Sequence, residues 1–296
     1  MTMDSIEKLY AEQLSEWDDF RKRVDDLDKI EIKKFDMGGY SVYIQHNPAR
    51  IASSNAKTDK ASIEKRKCFL CEANRPKIQK GVKLSDDFIA LVNPFPILKG
   101  HLTISSIQHQ RQEIKPYIAD FVRFCRLLPN HTMLYNGPRC GASAPDHLHF
   151  QAVGKGQLPF EKEMQHIKKR ELSEWNGSKM EEFVDYGRKC IHIQSDKDEK
   201  IISFFEQIYK QYQMMNENEE EPMMNLFGMY DTKEIHLFVF PRRKHRPSQF
   251  HEEGDRRMLI SPGAIDIAGI LVLPIRKDFD SITKETILDV YKQVSL

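Results

Sequence analysis

The sequence has almost no net charge, because 45 lysine and arginine residues oppose 44 aspartate and glutamate residues to leave a formal charge of +1. A balanced chain has no global field that attracts a nucleic-acid polymer or an anionic membrane. Long hydrophobic runs are also missing, and none approaches the ~20 residues of a membrane-spanning helix. We therefore expect a small-molecule partner, with no nucleic acid polymer and no membrane.

Cysteine is scarce and odd in number, with five residues, of which Cys68 and Cys71 form a C-x-x-C pair. This pattern and an acidic amino terminus without a signal-peptide pattern argue against a secreted disulfide framework. We expect a cytoplasmic location, reduced thiols and a metal at the pair.

A chain of 296 residues can bury a substantial core in one large or two modest domains.

Hydrophobic periodicity predicts an α+β protein. Helical spacing covers residues 4–26, 113–128, 160–171, 198–213 and 281–294. Strand-like runs lie near residues 30–35, 40–46, 88–93, 101–106, 132–136, 147–153, 190–194, 225–230, 235–241 and 268–274. His101-Leu102-Thr103-Ile104 resembles His236-Leu237-Phe238-Val239, which suggests two related halves. An accidental likeness of two apolar strands is the alternative.

The segment Asp146-His147-Leu148-His149-Phe150-Gln151 places two imidazoles and an amide at alternate positions of an apolar, β-prone run. In a strand, all three side chains face the same way. Neutral histidine is a competent nucleophile near pH 7, so His149 can attack phosphorus while Gln151 donates to a phosphoryl oxygen. The alternative is a half-buried strand whose polar face happens to carry histidines.

A glycine-containing loop with a hydroxyl group, residues 136–145, comes before this segment. Glycine lets backbone amides approach an anion closely, so the order of loop and histidine strand suits a phosphate site.

The pattern N-x(n)-G-x-S-x(n)-H-x-H-x-Q resembles the transferase branch of the histidine-triad superfamily, which contains galactose-1-phosphate uridylyltransferases, diadenosine tetraphosphate phosphorylases and GDP-hexose phosphorylases. Residues 43–50, 68–71, 91–96 and 100–104 resemble further segments of that family. The resemblance implies a HIT-like fold, with a duplicated half around antiparallel sheets and flanking helices. We place the halves at residues 1–185 and 186–296.

The resemblance also implies the chemistry. His149 would form a covalent nucleotidyl-histidine on a nucleotide, an NDP-sugar or a dinucleoside polyphosphate, and Gln151 would contact a non-bridging oxygen. Hydrolases of the superfamily carry a third histidine at the Gln151 position, so glutamine favours transfer to phosphate or a sugar phosphate. Leu148 and Phe150 resemble the phosphorylases, whereas uridylyltransferases carry proline and glycine there. A uridylyltransferase-like enzyme, a hydrolase and a non-catalytic nucleotide-binding protein are the alternatives.

The other site residues are predicted partly from their positions in loops and at strand ends and partly from the family resemblance. The predicted phosphate and nucleotide contacts are Asn136, Gly141, Ser143, Arg50, Asn93, Arg242 and Arg243. Turn chemistry is the alternative for Asn136 and Ser143, and a solvated charge run is the alternative for the two arginines that end a second-half strand.

A structural zinc is the predicted cofactor. In related transferases, the C-x-x-C pair is completed by a histidine after the central hairpin and by the first histidine of H-x-H, which correspond here to His109 and His147. The predicted zinc ligands are therefore Cys68, Cys71, His109 and His147. Two partly buried thiols without a metal are the alternative.

Overall fold

Ten antiparallel strands form one continuous sheet through the middle of the molecule, and three more strands form a small second sheet. A computed structural model describes residues 3–55, 59–215 and 220–296. In chain order the strands are β1 (Glu31–Asp36), β2 (Ser41–His46), β3 (Gly81–Lys83), β4 (Phe88–Val92), β5 (Leu102–Ser106), β6 (His131–Asn136), β7 (His149–Gly154), β8 (Lys169–Trp175), β9 (Ser178–Phe183), β10 (Ile191–Ser195), β11 (Met224–Tyr230), β12 (Ile235–Pro241) and β13 (Ile270–Leu273).

Helices cover both faces of the large sheet. They are α1 (Met3–Glu16), α2 (Asp18–Asp26), α3 (Ile51–Ser54), α4 (Lys60–Lys65), α5 (Ile118–Leu127), α6 (Pro159–Glu163), α7 (Asp198–Met215), α8 (Ala264–Ile267), α9 (Arg276–Ser281) and α10 (Lys284–Val294). Within the described parts of the chain, none of these helices combines the length and the apolar character needed to cross a bilayer.

The large sheet is built from the same unit twice. Its strand order is β3-β4-β5-β7-β6-β11-β12-β10-β9-β8. In each half, three successive strands are followed by a helix, α5 or α7, and the last strand inserts between the third and the fourth. The halves meet where β6 pairs with β11. The predicted α+β fold with two related halves is therefore confirmed.

The two sequence segments that resemble each other lie in β5 and β12, and these strands are not equivalent in the repeat. The repeat makes β12 the counterpart of β7, whereas β5 corresponds to β10. The boundary after residue 185 stays a prediction. Strand β9, before that boundary, pairs with β10 after it, and β2 pairs with β13.

The core lies on both sides of the large sheet. Helices α5 and α7 cover one face with apolar residues at helical spacing, including Phe121, Phe124, Phe205 and Ile208. The small sheet β1-β2-β13 and helix α10 cover the other face. Strand β7 thus lies within a sheet that is covered on both faces.

Two sequence predictions of helices are wrong in part. The helix predicted over residues 4–26 is broken at Trp17, whose backbone (φ −110°, ψ 90°) is not helical. The helix predicted over residues 160–171 is shorter, because α6 ends at Glu163 and the polar strand β8 begins at Lys169. Asn176 and Gly177 have φ values of 48° and 82° and close the β8–β9 hairpin. The Asn-Gly pair is the local signal for such a turn.

Candidate functional site

Strand β7 projects the predicted nucleophile away from the helical layer. Phe150 packs on the opposite side, where its ring lies 5.6 Å from that of Phe88 and 5.3 Å from that of Phe121. His149 and Gln151 therefore face the side of the small sheet. The strand begins at His149, so His147 lies in the preceding turn and not in the strand as predicted.

The tautomer of His149 is fixed by one hydrogen bond. Its Nδ1 lies 2.8 Å from the carbonyl oxygen of His147, which can only accept, so Nδ1 carries the proton and Nε2 carries the lone pair. Burial lowers the pKa of His149 to about 4, which keeps the ring neutral at pH 7. Nε2 has no hydrogen-bond partner among the described residues and is not one of the fully buried unpaired atoms. The free lone pair therefore reaches the protein surface, although the residue as a whole is only 4% exposed.

The side-chain amide of Gln112 fixes the backbone of His149. Its Oε1 accepts from the His149 N–H at 2.8 Å, and its Nε2 donates to the His149 carbonyl at 3.0 Å. The same Nε2 donates to the carbonyl of Asn136 at 2.9 Å. One amide therefore holds the ends of β6 and β7 together beside the nucleophile.

A second histidine, His101, orients Gln151. The Nδ1 of His101 accepts from the Ile97 N–H at 3.3 Å, so its Nε2 carries the proton and donates to Gln151 Oε1 at 2.9 Å. Burial lowers the pKa of His101 to about 4, so this neutral tautomer persists at pH 7. The Gln151 oxygen is thereby occupied, and its NH2 group is the part of the amide left to donate to a ligand.

Asn136 lies beside His149 with its amide oriented in the same manner. Leu134 pairs with Gln151, which brings Asn136 level with His149 two residues further along. The Oδ1 of Asn136 accepts from the Ala264 N–H at 2.7 Å and from Asn225 Nδ2 at 2.8 Å. Its NH2 group is again the donor that remains.

Gly141 permits a close contact between the two halves. It has φ of +100°, and a Cβ at this position would lie 2.5 Å from the Cα of Gly263. Both requirements select glycine. Ser143 lies two residues further along the same loop and is partly exposed.

Replacing Gly141 with alanine should reduce the free energy of unfolding by about 2–3 kcal/mol and weaken nucleotide binding, because the φ strain adds to a backbone clash with Gly263. Gly156→Ala is the matched control, since Gly156 also has positive φ (+82°) but open space around it. Chemical denaturation should show a smaller loss for the control. Equal losses in the two variants would contradict the close approach.

The two predicted nucleotide-contacting residues converge on one segment. Arg50 donates to the Phe95 carbonyl at 2.8 Å, and Asn93 accepts from the Phe95 N–H at 3.0 Å. Arg50 also lies close enough to His101 to affect its pKa, which places it near Gln151. A cavity of about 370 Å³ beside Arg50 is lined by Phe95, Pro96 and residues 46–49, among others.

Arg242 is not placed to contact phosphate as predicted. It is 1% exposed, and each of its five N–H donors is used within the protein. The acceptors are Asn225 Oδ1 and the carbonyl oxygens of Val294, Pro262, Lys244 and His245, at 2.6–3.2 Å. No donor is left for a phosphate, so Arg242 supports the site through Asn225. Arg243, by contrast, is exposed.

The four predicted metal ligands form one cluster. From Zn–N bonds near 2.0 Å and Zn–S bonds near 2.3 Å, tetrahedral ligand atoms should lie about 3.3 to 3.8 Å apart. The Nδ1 of His147 lies 3.3 Å from Cys68 Sγ, 3.6 Å from Cys71 Sγ and 3.2 Å from the Nδ1 of His109. This Cys2His2 cluster could hold a metal ion.

The surroundings of the cluster also suit a metal. The Nε2 of His147 lies 2.9 Å from the Ser106 carbonyl, which leaves Nδ1 for the ion, as is usual for a metal-bound histidine. Although burial opposes it, hydrogen bonds from His147 and backbone amides lower the pKa of the Cys68 thiol to about 6. The cluster would fix His147, whose carbonyl orients His149.

Family models match two successive parts of the chain. Residues 9–154 match the model of a domain of unknown function (DUF4922), and residues 161–296 match the GDPGP1-like, C-terminal domain model. No curated protein sequence gives a significant match.

Solved structures of yeast Ap4A phosphorylase Apa2 share the fold. The crystal structure of the enzyme covers 94% of this chain and 96% of its own, with a TM-score of 0.60 and 14% identity. Its complex with AMP has a TM-score of 0.59 at 14% identity, covering 94% and 95% of the two chains. The complex with Ap4A gives 0.58 at 12% identity, covering 94% and 96%. The chain therefore has the fold of Ap4A phosphorylase, and its carboxyl-terminal part matches a GDPGP1-like domain, as the resemblance implied.

The sequence prediction missed several residues that shape the site. The sequence analysis assigns His101 only to a resembling strand, although the Gly100-His101 pair before an apolar strand was a usable signal. Gln112, Asn225 and Gly263 carry no local signal, since their role depends on contacts between distant segments.

Proposed function

We propose that this chain, which has the fold of an Ap4A phosphorylase and a GDPGP1-like carboxyl-terminal half, is a nucleotidyltransferase of the phosphorylase type. It would transfer a nucleoside monophosphate unit from an NDP-sugar or a dinucleoside polyphosphate to phosphate or a sugar phosphate through His149. The observation that carries the proposal is the Nδ1–H contact with the His147 carbonyl, which leaves Nε2 as a solvent-accessible nucleophile.

In the first step, the Nε2 lone pair attacks the α-phosphorus of the donor. A P–N bond forms as the bond between phosphorus and the leaving-group oxygen breaks, and the leaving group departs with its phosphate. The imidazole becomes positively charged, and the His147 carbonyl at Nδ1 stabilises that charge. The NH2 groups of Gln151 and Asn136 would donate to the non-bridging oxygens of the transferred phosphoryl group.

In the second step, an oxygen of the acceptor phosphate attacks the same phosphorus. The P–N bond breaks, and the ring returns to its neutral Nδ1–H tautomer. Splitting one difficult displacement into two accounts for the ping-pong scheme, and most of the acceleration would come from positioning.

The nucleoside would occupy the cavity beside Arg50. Phe95 and Pro96 supply apolar surface, and Arg50 supplies a cation on the side of His101 and Gln151. Apa2 has been crystallised with AMP and with Ap4A, which supports a nucleotide ligand for a chain of the same fold.

The cluster of Cys68, Cys71, His109 and His147 would hold a structural zinc ion. The ion would clamp the turn before β7 to the loop after β5, and no ligand position would be left for substrate. The cytoplasmic location remains a prediction from the sequence.

A donor and acceptor screen tests the proposed function. The intact protein is incubated with GDP-, UDP- and ADP-hexoses and with diadenosine polyphosphates, with and without phosphate, and the products are identified by mass. A phosphorylase gives a nucleoside diphosphate from an NDP-sugar only when phosphate is present. Release of nucleoside monophosphate at an equal rate without phosphate would show a hydrolase.

His101 should matter for rate through Gln151. His101→Phe leaves the Gln151 amide free to rotate, so kcat should fall on the order of 10-fold with little change in KM. In a Gln151→Ala background the same substitution should change kcat less than about twofold, because the positioned group is gone. His131→Phe, on β6, is the control for adding an aromatic ring. A full loss from His101→Phe in the Gln151→Ala background would contradict the positioning role.

A further inference from the structure

A short turn of the second half, Gly263–Ala264, lies against the end of β6 and the loop that follows it. The N–H of Ala264 donates to Asn136 Oδ1 at 2.7 Å. Gly263 approaches Gly141 so closely that a Cβ on Gly141 would lie 2.5 Å from the Gly263 Cα. The position of this turn therefore sets the orientation of the Asn136 amide, which lies level with His149.

The carboxylate of Asp266 holds the turn in place. Its Oδ2 accepts from the Gly263 N–H at 2.9 Å, and its Oδ1 accepts from the Val272 N–H at 2.9 Å. Val272 lies on β13, which is paired with β2 in the small sheet. The carboxylate thus ties the turn to a fixed strand, and each of its two oxygens has a backbone donor.

The surroundings of Asp266 make its charge sensitive to mild acid. The charged side chains that act on its carboxyl group are Arg50, which follows β2, and Arg242, which follows β12. On the side of α10, the Tyr291 hydroxyl donates to the Asp266 backbone carbonyl at 2.8 Å. Burial raises the pKa of Asp266 to about 6, although the two backbone donors and the two positive charges oppose the shift. The carboxylate is therefore mostly ionised at pH 7.

Ionisation decides whether both backbone bonds persist. A carboxylate only accepts hydrogen bonds, whereas protonation turns one of its oxygens into an O–H donor that faces a backbone N–H. One of the two N–H groups then loses its acceptor, which loosens the turn. Asn136 Oδ1 keeps the bond from Asn225 Nδ2 but loses the firm position of its second donor, Ala264.

We propose that Asp266 is a positioning residue of the transfer reaction, because its ionised carboxylate holds the turn Gly263–Ala264 against Asn136 and so aims the Asn136 NH2 group at the transferred phosphoryl group. This inference rests on the proposed function. Asp266 acts through the backbone of the turn and not on the reacting atoms. The transfer rate accordingly falls as the pH falls through the pKa of Asp266.

The rate of adduct formation at His149, measured in single turnovers of the full chain at saturating donor, tests this role. NDP-hexoses and diadenosine tetraphosphate carry no terminal phosphate, so neither donor titrates near pH 6. The imidazoles of His149 and His101 have pKa values of about 4 and remain mostly neutral over the same range. We expect the wild-type rate to fall about fivefold from about pH 8 to about pH 5.

Asp266→Asn should lose this pH dependence. Asparagine has one acceptor oxygen, so the variant mimics the protonated carboxyl group at every pH. Its rate should be on the order of 10-fold below that of the wild type at about pH 8 and should change little down to about pH 5. Asp266→Glu keeps a carboxylate and should retain the fall in rate at acidic pH.

Asp278→Asn is the matched control. Asp278 is also a buried aspartate of the second half, and its Oδ2 accepts from the Leu259 N–H at 2.7 Å. Its Oδ1 has no hydrogen-bond partner among the described residues, so an asparagine can keep the one bond that exists. The rate and its pH dependence should match those of the wild type.

The outcomes separate this inference from the proposed function. A wild-type adduct rate that does not change between about pH 8 and about pH 5 would overturn the inference, whether or not the variants fold. So would an Asp266→Asn variant with the rate and pH dependence of the wild type, or a loss of the pH dependence in Asp278→Asn. In each of these cases the adduct forms and the proposed function stands. Absence of an adduct with any donor would overturn both.

Discussion

Replacing His149 with alanine should reduce the transfer rate by on the order of 10⁴-fold or more, because the variant has no group that can bond to phosphorus. The ring is buried on strand β7, and of its two nitrogens Nε2 is the one without a hydrogen-bond partner among the described residues. Initial rates with the best donor from the screen, with phosphate as acceptor, measure the loss. KM should change far less than kcat.

The control for this substitution is His166→Ala, since His166 is exposed on the segment after α6. It should keep wild-type activity. Both variants should also keep nucleotide binding and a melting temperature close to that of the wild type. Activity of His149→Ala within about tenfold of the wild type would contradict the assignment of the nucleophile.

Removing the metal cluster should cause the largest loss of stability. A bound ion at about 1,000 times its Kd stabilises the folded state by about 4 kcal/mol, and Cys68→Ser or Cys71→Ser should forfeit most of this. In a chain of this size that corresponds to a fall of roughly 10 °C in Tm. Activity should fall as well, because His147 orients the nucleophile through its carbonyl.

Metal content by mass spectrometry and thermal unfolding test this prediction together. The wild type should bind one zinc ion per chain, and each cysteine variant should lose it. Cys190→Ala removes a buried thiol that lies outside the cluster and should keep the metal. A Cys68→Ser protein with full metal content and unchanged Tm would contradict the structural zinc.

The central part of the site could be predicted from the sequence because its residues are close in the chain. Alternation in β7 puts His149 and Gln151 on one face, and the C-x-x-C spacing suggests a metal site. Two distant histidines were added to that site from family resemblance, and the structure brings all four together. The inner strands of the large sheet can be predicted from their apolar runs. The polar edge strand β8 cannot, and its first residues fall within a predicted helix.

The rest of the site depends on long-range contacts that leave no pattern in the sequence. Asn225 and Asn136 are 89 residues apart yet share a hydrogen bond, and Gly263 meets Gly141 across the two halves. Arg242 was predicted to bind phosphate because it lies in a basic run. The fold instead turns it inward, where five protein acceptors surround it.

The covalent bond between His149 and phosphorus is the central claim, and peptide mapping tests it directly. The protein is incubated with donor in the absence of acceptor, digested, and analysed by mass spectrometry under basic conditions. We predict a nucleoside monophosphate on the peptide that contains His149, stable to base, labile to acid and discharged by added phosphate. Product formation with that peptide unmodified, or with the nucleotide on another residue, would contradict the account.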